Sequence, residues 1–214
     1  MEDRKRLLGY YNYTVVLTYI GMLAGFTGIV MAMEGKCGKT LLCLLVSGVC
    51  DMFDGAIAST RERTIQEKRF GIQIDSLSDL ICFGLLPALA AYSLSGRTNW
   101  GFLLGGFYAL CALIRLAYFN VTEEERQDRE SGGRKVYQGL PVTNIALIFP
   151  LFYVIQMTWM PGMAWIYLLM IFVVAVAFLL PFEMKKPDWW WKVTAGCLGL
   201  AELIILLMGM GMDV

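Results

Sequence analysis

Seven runs of predominantly apolar residues alternate with short polar segments along this chain of 214 residues. A helix of about 20 apolar residues is long enough to cross the hydrocarbon layer of a membrane. The pattern therefore predicts seven membrane-spanning helices, at residues 13–33, 39–58, 72–94, 100–119, 140–158, 162–181 and 191–211. No soluble domain or internal repeat separates them, so we predict an all-α, polytopic integral membrane bundle in one domain, residues 1–214.

Composition excludes several classes of function. Hydrophobic residues make up 57% of the chain and the mean hydropathy is +0.59, whereas soluble domains are about 45–50% apolar. The 18 basic and 18 acidic residues cancel, so we expect no nucleic-acid partner. The chain has no histidine, which excludes Ser-His and Cys-His nucleophiles and leaves proton transfer and metal binding to carboxylates. The six cysteines include no CxxC pair and are interpreted as packing residues.

Basic residues predict the orientation in the membrane. The polar segments at 1–6, 59–69, 122–135 and 183–192 hold 3, 4, 4 and 3 Lys or Arg residues, and all lie on one side of a seven-span arrangement. The opposite loops hold Lys36, Lys39 and Arg97. This bias places the first set in the cytoplasm. We expect the first span to stay attached, because it is too long for a cleaved signal peptide, and we interpret the polar stretch 121–138 as a solvated linker.

Four aspartates stand at helical spacings beside apolar runs. Asp51 and Asp54 are three residues apart, and Asp75 and Asp79 are four apart, so each pair lies on one helix face. A carboxylate in the middle of a membrane helix costs roughly 2.5–3.5 kcal/mol, so four of them need compensation. The two helices are antiparallel neighbours joined by a short basic loop, which predicts that the two pairs meet at the cytoplasmic end.

Converging carboxylates repel each other unless cations neutralise them. An all-oxygen site selects hard divalent ions, so we expect Mg²⁺ or Mn²⁺, with two ions in a site suited to phosphoryl-type displacement. The alternative is that the aspartates form ion pairs with the basic side chains of the intervening loop, which are Arg61, Arg63, Lys68 and Arg69. We favour the metal site, because plain ion pairing does not require two helical doublets, each with a glycine nearby.

The motif Asp51-x-x-Asp54-Gly55-x-x-Ala58, followed by Gly71-x-x-x-Asp75-x-x-x-Asp79, resembles the signature of the CDP-alcohol phosphatidyltransferases. The continuation FGIQIDSLSDLICFGLLPA, the later RLAYFN at 115–120 and GLP at 139–141 are similar to the phosphatidylserine synthase branch of that family. The resemblance implies a six-helix core, residues 13–181, with one extra helix near 191–211. It also implies a homodimer in the cell membrane with its active site facing the cytoplasm.

The resemblance further implies a chemistry for each motif residue. Asp51, Asp54 and Asp75 would hold one metal ion, Asp51, Asp75 and Asp79 the second, and Asp79 would be the general base. Serine would then attack the β-phosphorus of CDP-diacylglycerol, giving phosphatidylserine and CMP. The nucleotide and phosphates would lie against residues of the motif and its loop, which are Gly55, Ala58, Arg61 and Gly71.

The chain departs from the family pattern in this loop. The family usually has arginine directly after the alanine, where it touches the nucleotide, but this chain has Ser59. Twelve residues separate Ala58 from Gly71, so the loop is also longer than usual. Our hypothesis is that Arg61 supplies the missing positive charge.

The acceptor alcohol needs a pocket of its own. Serine carries a carboxylate, and Arg115 is the basic residue that falls within a predicted span, so it is a candidate for bidentate contact with that carboxylate. Equally, Arg115 could pair with the aspartates or extend toward the interface. Asn120 and Gln138 lie near the same level and are candidates for hydrogen bonds to serine, with helix caps or loop hydrogen bonds as the alternative.

Two rival functions share these features. Another CDP-alcohol phosphatidyltransferase, with glycerol 3-phosphate or inositol as acceptor, would use the same aspartates. A cation transporter would also need membrane carboxylates, but its site is expected near the bilayer midplane.

Small-residue faces in the later spans favour a homodimer in the lipid bilayer. Glu202, in the last span, is an isolated carboxylate that we expect to be protonated or paired between helices.

Overall fold

The computed structural model describes residues 8–129, 136–185 and 189–210. Eight α-helices occur in this part of the chain: α1 (Val16–Met33), α2 (Cys37–Ala58), α3 (Ile65–Asp79), α4 (Leu86–Leu94), α5 (Asn99–Arg129), α6 (Ile145–Trp159), α7 (Trp165–Leu179) and α8 (Trp189–Met210). Two short strands, β1 (Val136–Gln138) and β2 (Glu183–Lys185), pair antiparallel. The predicted all-α membrane bundle is confirmed, because these two strands are only three residues long each and simply pair the segments that follow α5 and α7.

Glycines allow α1 to pack closely against its neighbours. Gly21, Gly25 and Gly28 lie on one face of α1, and a Cβ atom at any of them would come within 3.0 Å of a side chain of α2 or of the helix that follows α3. The Ser47 hydroxyl of α2 donates a hydrogen bond of 2.9 Å to the Gly21 carbonyl. Small residues promote such close helix approach in membranes, so α1 and α2 form a tight antiparallel hairpin.

The third membrane crossing is one continuous helical segment, Ile65–Leu94, whose geometry changes along its length. Thr64 starts it with a capping box: Thr64 Oγ1 accepts from the Glu67 backbone, and the Glu67 carboxylate accepts from the Thr64 backbone. Residues Leu80–Leu85 form a π-helical turn directly after Asp79, and α4 continues from it. This cap begins the helix at Ile65, earlier than the predicted start at 72.

The core lies where α4, α5 and α7 meet. Tyr108 of α5 is fully buried, donates a 2.8 Å hydrogen bond to the Phe83 carbonyl and packs 5.4 Å from the Phe178 ring, centroid to centroid. In α6, the amide of Gln156 contacts the Met160 carbonyl and the Tyr167 hydroxyl, which satisfies this buried polar group. A single apolar core therefore connects the middle of the chain with α6 and α7.

Five of the described helical segments are long and apolar enough to cross a membrane: Tyr13–Met33, Cys37–Ala58, Ile65–Leu94, Asn99–Glu125 and Val142–Trp159. Two shorter apolar helices, Trp165–Leu179 and Gly196–Met208, coincide with the last two predicted spans. Large apolar side chains such as Phe102 and Trp159 face outward, as expected for contact with lipid. The protein is therefore a multi-pass membrane protein, with five described helices of spanning length and the shorter apolar helices α7 and α8 after them.

The linker predicted for residues 121–138 is wrong over its first half. Helix α5 continues to Arg129, because the residues from 123 to 129 are good helix formers with no glycine or proline among them. Residues 136–138 form β1 rather than linker, and 130–135 lie outside the described residues. The polar extension of α5 thus carries the helix beyond the apolar run that ends at 119.

Candidate active site

The four aspartates of α2 and α3 meet at one end of the bundle. One carboxylate oxygen from each of Asp51, Asp54 and Asp75 lies within 4.8 Å of the other two. The Asp79 carboxyl group contacts that of Asp51, and the Asp75 carboxyl group contacts that of Asp54. The three- and four-residue spacings place each pair on the facing sides of α2 and α3, so two doublets become one cluster.

A cavity of about 150 Å³ opens beside this cluster. Asp54 and Asp75 line it from the two helices, and Gly55, Ala58 and Gly71 provide walls with little or no side chain. A Cβ atom on Gly55 would meet nothing within 4 Å among the described atoms, so the α2 backbone borders open space there. Of the four residues expected to lie against a nucleotide, Gly55, Ala58 and Gly71 therefore line one cavity. Arg61 does not line it.

The start of α1 closes another side of the cavity. Thr14, Val15 and Thr18 line it, and the Thr18 hydroxyl donates a 3.1 Å hydrogen bond to Asp54 Oδ2. Our sequence analysis did not single out these residues. A signal was present, since Thr14 and Thr18 continue the three- and four-residue spacing of the α1 glycines and so share their face.

The ion-pair alternative for the aspartates is not what the structure shows. Within residues 8–129, 136–185 and 189–210, ion pairs closer than 4.0 Å join Lys36 to Glu34 and Arg61 to Glu67, and none reaches an aspartate of the cluster. Converging carboxylates with oxygen donors only, and with no basic partner, fit a hard divalent cation such as Mg²⁺ or Mn²⁺. Asp51, Asp54 and Asp75 supply the tightest set of donors.

The loop between the doublets places its two arginines differently. The Arg61 side chain is exposed, and its Nη2 lies 3.9 Å from Glu67 Oε1. Arg63, by contrast, lines the cavity. The Ser59 hydroxyl, at the position where the family usually has arginine, donates to the Ala56 carbonyl at 2.6 Å. Ser59 thus ends α2 and does not reach into the cavity.

The candidate serine-binding residues are only partly brought together. Arg115 is 6% exposed, its Nε donates a 3.3 Å hydrogen bond to the Leu140 carbonyl, and its guanidinium lies 5.8 Å from the Phe119 ring centroid. Asn120 Oδ1 accepts a 2.9 Å hydrogen bond from Ser76, next to Asp75. Asn120 is therefore close to the cluster. The side chain of Gln138 lies outside the described part of the structure.

Similarity to known proteins shows the family of this chain. The family model of the CDP-alcohol phosphatidyltransferases matches residues 11–180. The chain belongs to this family. The match contains all four aspartates and ends at the last residues of α7, so α8 lies beyond it. The resemblance seen in the aspartate motif is thereby confirmed.

Individual relatives add names for the reaction. The chain is 33% identical over 150 residues to CDP-diacylglycerol--serine O-phosphatidyltransferase of Saccharomyces cerevisiae, covering 64% of this chain and 53% of that protein. It is 29% identical over 154 residues to archaetidylserine synthase of Methanothermobacter thermautotrophicus, covering 72% and 62%. A Bacillus subtilis CDP-diacylglycerol--serine O-phosphatidyltransferase is 27% identical, covering 53% and 64%. The chain thus spans about half to two thirds of the length of these relatives.

Proposed function

We propose that this protein transfers the phosphatidyl group from CDP-diacylglycerol to L-serine, giving phosphatidylserine and CMP. The observation that carries the proposal is the convergence of Asp51, Asp54, Asp75 and Asp79 beside a cavity, in a chain that belongs to the CDP-alcohol phosphatidyltransferases. Relatives named as serine transferases support serine as the acceptor. The proposal treats residues 1–214 as one catalytic domain, with its core at 13–181 and α8 added to it.

In this proposal the four aspartates have different roles. Asp51, Asp54 and Asp75 would hold one divalent ion, and Asp51, Asp75 and Asp79 would hold a second, whether Mg²⁺ or Mn²⁺. Bound ions of this kind neutralise a diphosphate and stabilise charge on the leaving oxygen. Thr18 orients Asp54 by the hydrogen bond to Oδ2.

Asp79 serves as the general base. It accepts the proton of the serine hydroxyl while the serine oxygen forms a bond to the β-phosphorus of CDP-diacylglycerol. The bond between that phosphorus and the oxygen bridging to CMP breaks, and CMP leaves with the electron pair. A carboxylate can do this only within hydrogen-bonding reach of the hydroxyl, and Asp79 belongs to the cluster through its contact with Asp51.

The donor combines a lipid with a nucleotide, so the site must be reached from both the bilayer and water. The four aspartates lie toward the α2–α3 loop, which carries Arg61 and Arg63, and the first turns of α3 add Lys68 and Arg69. A basic loop of this kind favours the cytoplasmic side. We therefore propose that the active site faces the cytoplasm, and we propose a homodimer in the cell membrane from the family resemblance and the small-residue faces of the later spans. Arg115 and Asn120, with Gln138, stay candidates for holding serine.

The proposal is tested by measuring CMP release from purified protein in detergent. The reaction contains CDP-diacylglycerol, Mg²⁺ or Mn²⁺, and either serine, glycerol 3-phosphate or inositol. We expect CMP release with serine, phosphatidylserine in equal amount, and loss of both when a chelator removes the divalent ion. Restoring the divalent ion should restore the rate.

Two results would contradict the proposal in different ways. Release of CMP only with glycerol 3-phosphate or inositol would keep the transferase and replace the acceptor. No release with any alcohol would reject the transferase, and uptake of divalent cations into proteoliposomes would then test the transporter. Because the chain belongs to a transferase family, transfer to another alcohol is favoured over cation transport.

A further inference from the structure

Arg63 lies in the loop between the two aspartate doublets, within the same cavity as Asp54 and Asp75. Its Nε is buried and has no hydrogen-bond partner among the described residues. Buried polar groups in proteins are nearly always hydrogen-bonded, and an exception calls for an explanation. The Arg63 side chain lines the cavity, so an anionic ligand bound there would meet its guanidinium group.

Three other polar side chains of this loop make their contacts outside the cavity. Arg61 is exposed and lies beside Glu67, the Ser59 hydroxyl donates to the Ala56 carbonyl, and the Thr60 hydroxyl donates to the Ile57 carbonyl. None of them lines the cavity. Arg63 is therefore the loop arginine with both the position and the available donor to meet a ligand.

The fold fixes the position of Arg63 on both sides of the loop. The Thr64–Glu67 capping box sets the backbone directly after it. Asn12 Nδ2 donates to Glu67 Oε1 at 3.2 Å, and the Tyr13 hydroxyl lies 3.0 Å from that of Thr60, so the start of the chain braces the loop. These contacts hold the residues on both sides of Arg63 in the loop.

Gly71 leaves room for the guanidinium. A Cβ atom at position 71 would lie 3.1 Å from Arg63 Nη1, which is tighter than an ordinary contact. Glycine at this motif position therefore leaves Arg63 Nη1 undisturbed, since a Cβ atom there would require that nitrogen to shift by a few tenths of an ångström.

We propose that Arg63 binds the diphosphate of the nucleotide-linked donor and so replaces the arginine that this chain lacks at Ser59. Guanidinium groups present a planar fork of donors that matches phosphate oxygens in pairs. The aspartates and Arg63 border the same cavity, so a diphosphate there would lie between the cluster and this positive charge. This inference rests on the proposed function and assigns to Arg63 the role that we expected for Arg61.

The test measures CDP binding by calorimetry, in detergent with Mg²⁺, together with steady-state kinetics. We expect Arg63→Gln to weaken CDP binding by about tenfold or more, because it removes charge-assisted hydrogen bonds. It should raise KM for CDP-diacylglycerol and leave KM for serine unchanged, a separation that general misfolding would not produce. Arg63→Lys should recover part of the affinity, since lysine keeps the charge but not the planar fork.

Matched variants of the same segment complete the design. Lys68→Gln removes an exposed positive charge from the next helical turns and should leave CDP binding within about twofold, as expected for screened surface charges. Arg61→Gln tests the competing assignment, and an equal or larger loss of CDP binding there would overturn the role of Arg63. Gly71→Ala should weaken CDP binding by crowding Nη1, and this variant gives a second measurement if Arg63→Gln does not fold.

The outcomes separate this inference from the proposed function. If the wild-type protein releases CMP with serine while Arg63→Gln binds CDP normally, the role of Arg63 is wrong and the proposed function stands. If no alcohol supports CMP release but Arg63→Gln still loses CDP binding, the proposed function is wrong and the role of Arg63 stands. A wild-type protein that binds no CDP would overturn both.

Discussion

The aspartate cluster of α2 and α3 and the single carboxylate of α8 show two ways in which a membrane protein buries acidic groups. Asp54 is 9% exposed, accepts a hydrogen bond from Thr18 and lies among other carboxylates beside a cavity. Glu202 is 2% exposed, and neither of its carboxylate oxygens has a hydrogen-bond partner among the described residues. Helix α8 packs against α2 and α6 and lies beyond the family match.

This difference shows that burial alone does not make a site. A functional site needs convergent donors, room for a ligand and a neighbour that orients the donors, and the aspartate cluster has all three. Glu202 is buried but has none of these three features, and it does not line the described cavity. Of the two expectations for Glu202, a partner between helices is not met among the described side chains, and a protonated carboxyl group stays a prediction.

The largest effect is expected from the same carboxyl-to-amide change in the two regions. Asp79→Asn should lower serine-dependent CMP release by roughly 10²–10⁴-fold, since it removes the general base. Glu202→Gln should keep the rate within about twofold, because the Glu202 carboxylate makes no hydrogen bond to the aspartate cluster among the described residues. Rates are measured side by side in one detergent, and thermal unfolding of each variant shows that the fold is retained. An Asp79→Asn protein with most of its activity would reject Asp79 as the base.

A smaller effect is expected from adding a methyl group near each region. In Gly25→Ala the new Cβ would lie 2.5 Å from Cys82 Sγ and 3.2 Å from the Cys82 Cα, so overpacking should cost about 1–3 kcal/mol. The displaced Cys82 is one turn after Asp79, so the rate should fall too. In Gly196→Ala the Cβ would meet nothing within 4 Å among the described atoms.

Thermal unfolding in detergent measures this pair of variants. The melting temperature of Gly25→Ala should fall, and that of Gly196→Ala should hold or rise, since alanine is about 0.8–1.0 kcal/mol better than glycine within a helix. Equal losses of melting temperature in both variants would show that the α8 region is packed as tightly as the α1–α2 hairpin.

The smallest effect is expected from making Glu202 apolar. Glu202→Leu removes a buried carboxyl group without a described partner and should raise stability by about 1 kcal/mol, because an unsatisfied buried acceptor carries a desolvation cost. Unfolding temperature and CMP release are measured together. A fall in both would mean that Glu202 has a partner that the described chain does not contain, with a second protomer as the first to examine by cross-linking.

Local spacing in the sequence predicted much of the candidate site. The intervals within Asp51–Asp54 and Asp75–Asp79 fix a shared helix face, because helical periodicity depends only on the backbone. Apolar run length predicted the membrane helices for a similar reason, since a bilayer has a fixed thickness. The start of α3 and the extension of α5 to Arg129 were missed, because capping and propensity act at polar ends, where hydropathy gives no signal.

The sequence by itself determined that the chain is a helical membrane protein with two acidic helix faces joined by a basic loop. Only the tertiary structure decided which loop arginine meets the cavity: Arg63 lies in it, whereas Arg61 lies beside Glu67. The tertiary structure also brought Thr18 of α1 to Asp54. The physical reason is that side-chain direction in a loop depends on contacts with distant segments, here the Thr64 cap and the bracing by Asn12 and Tyr13.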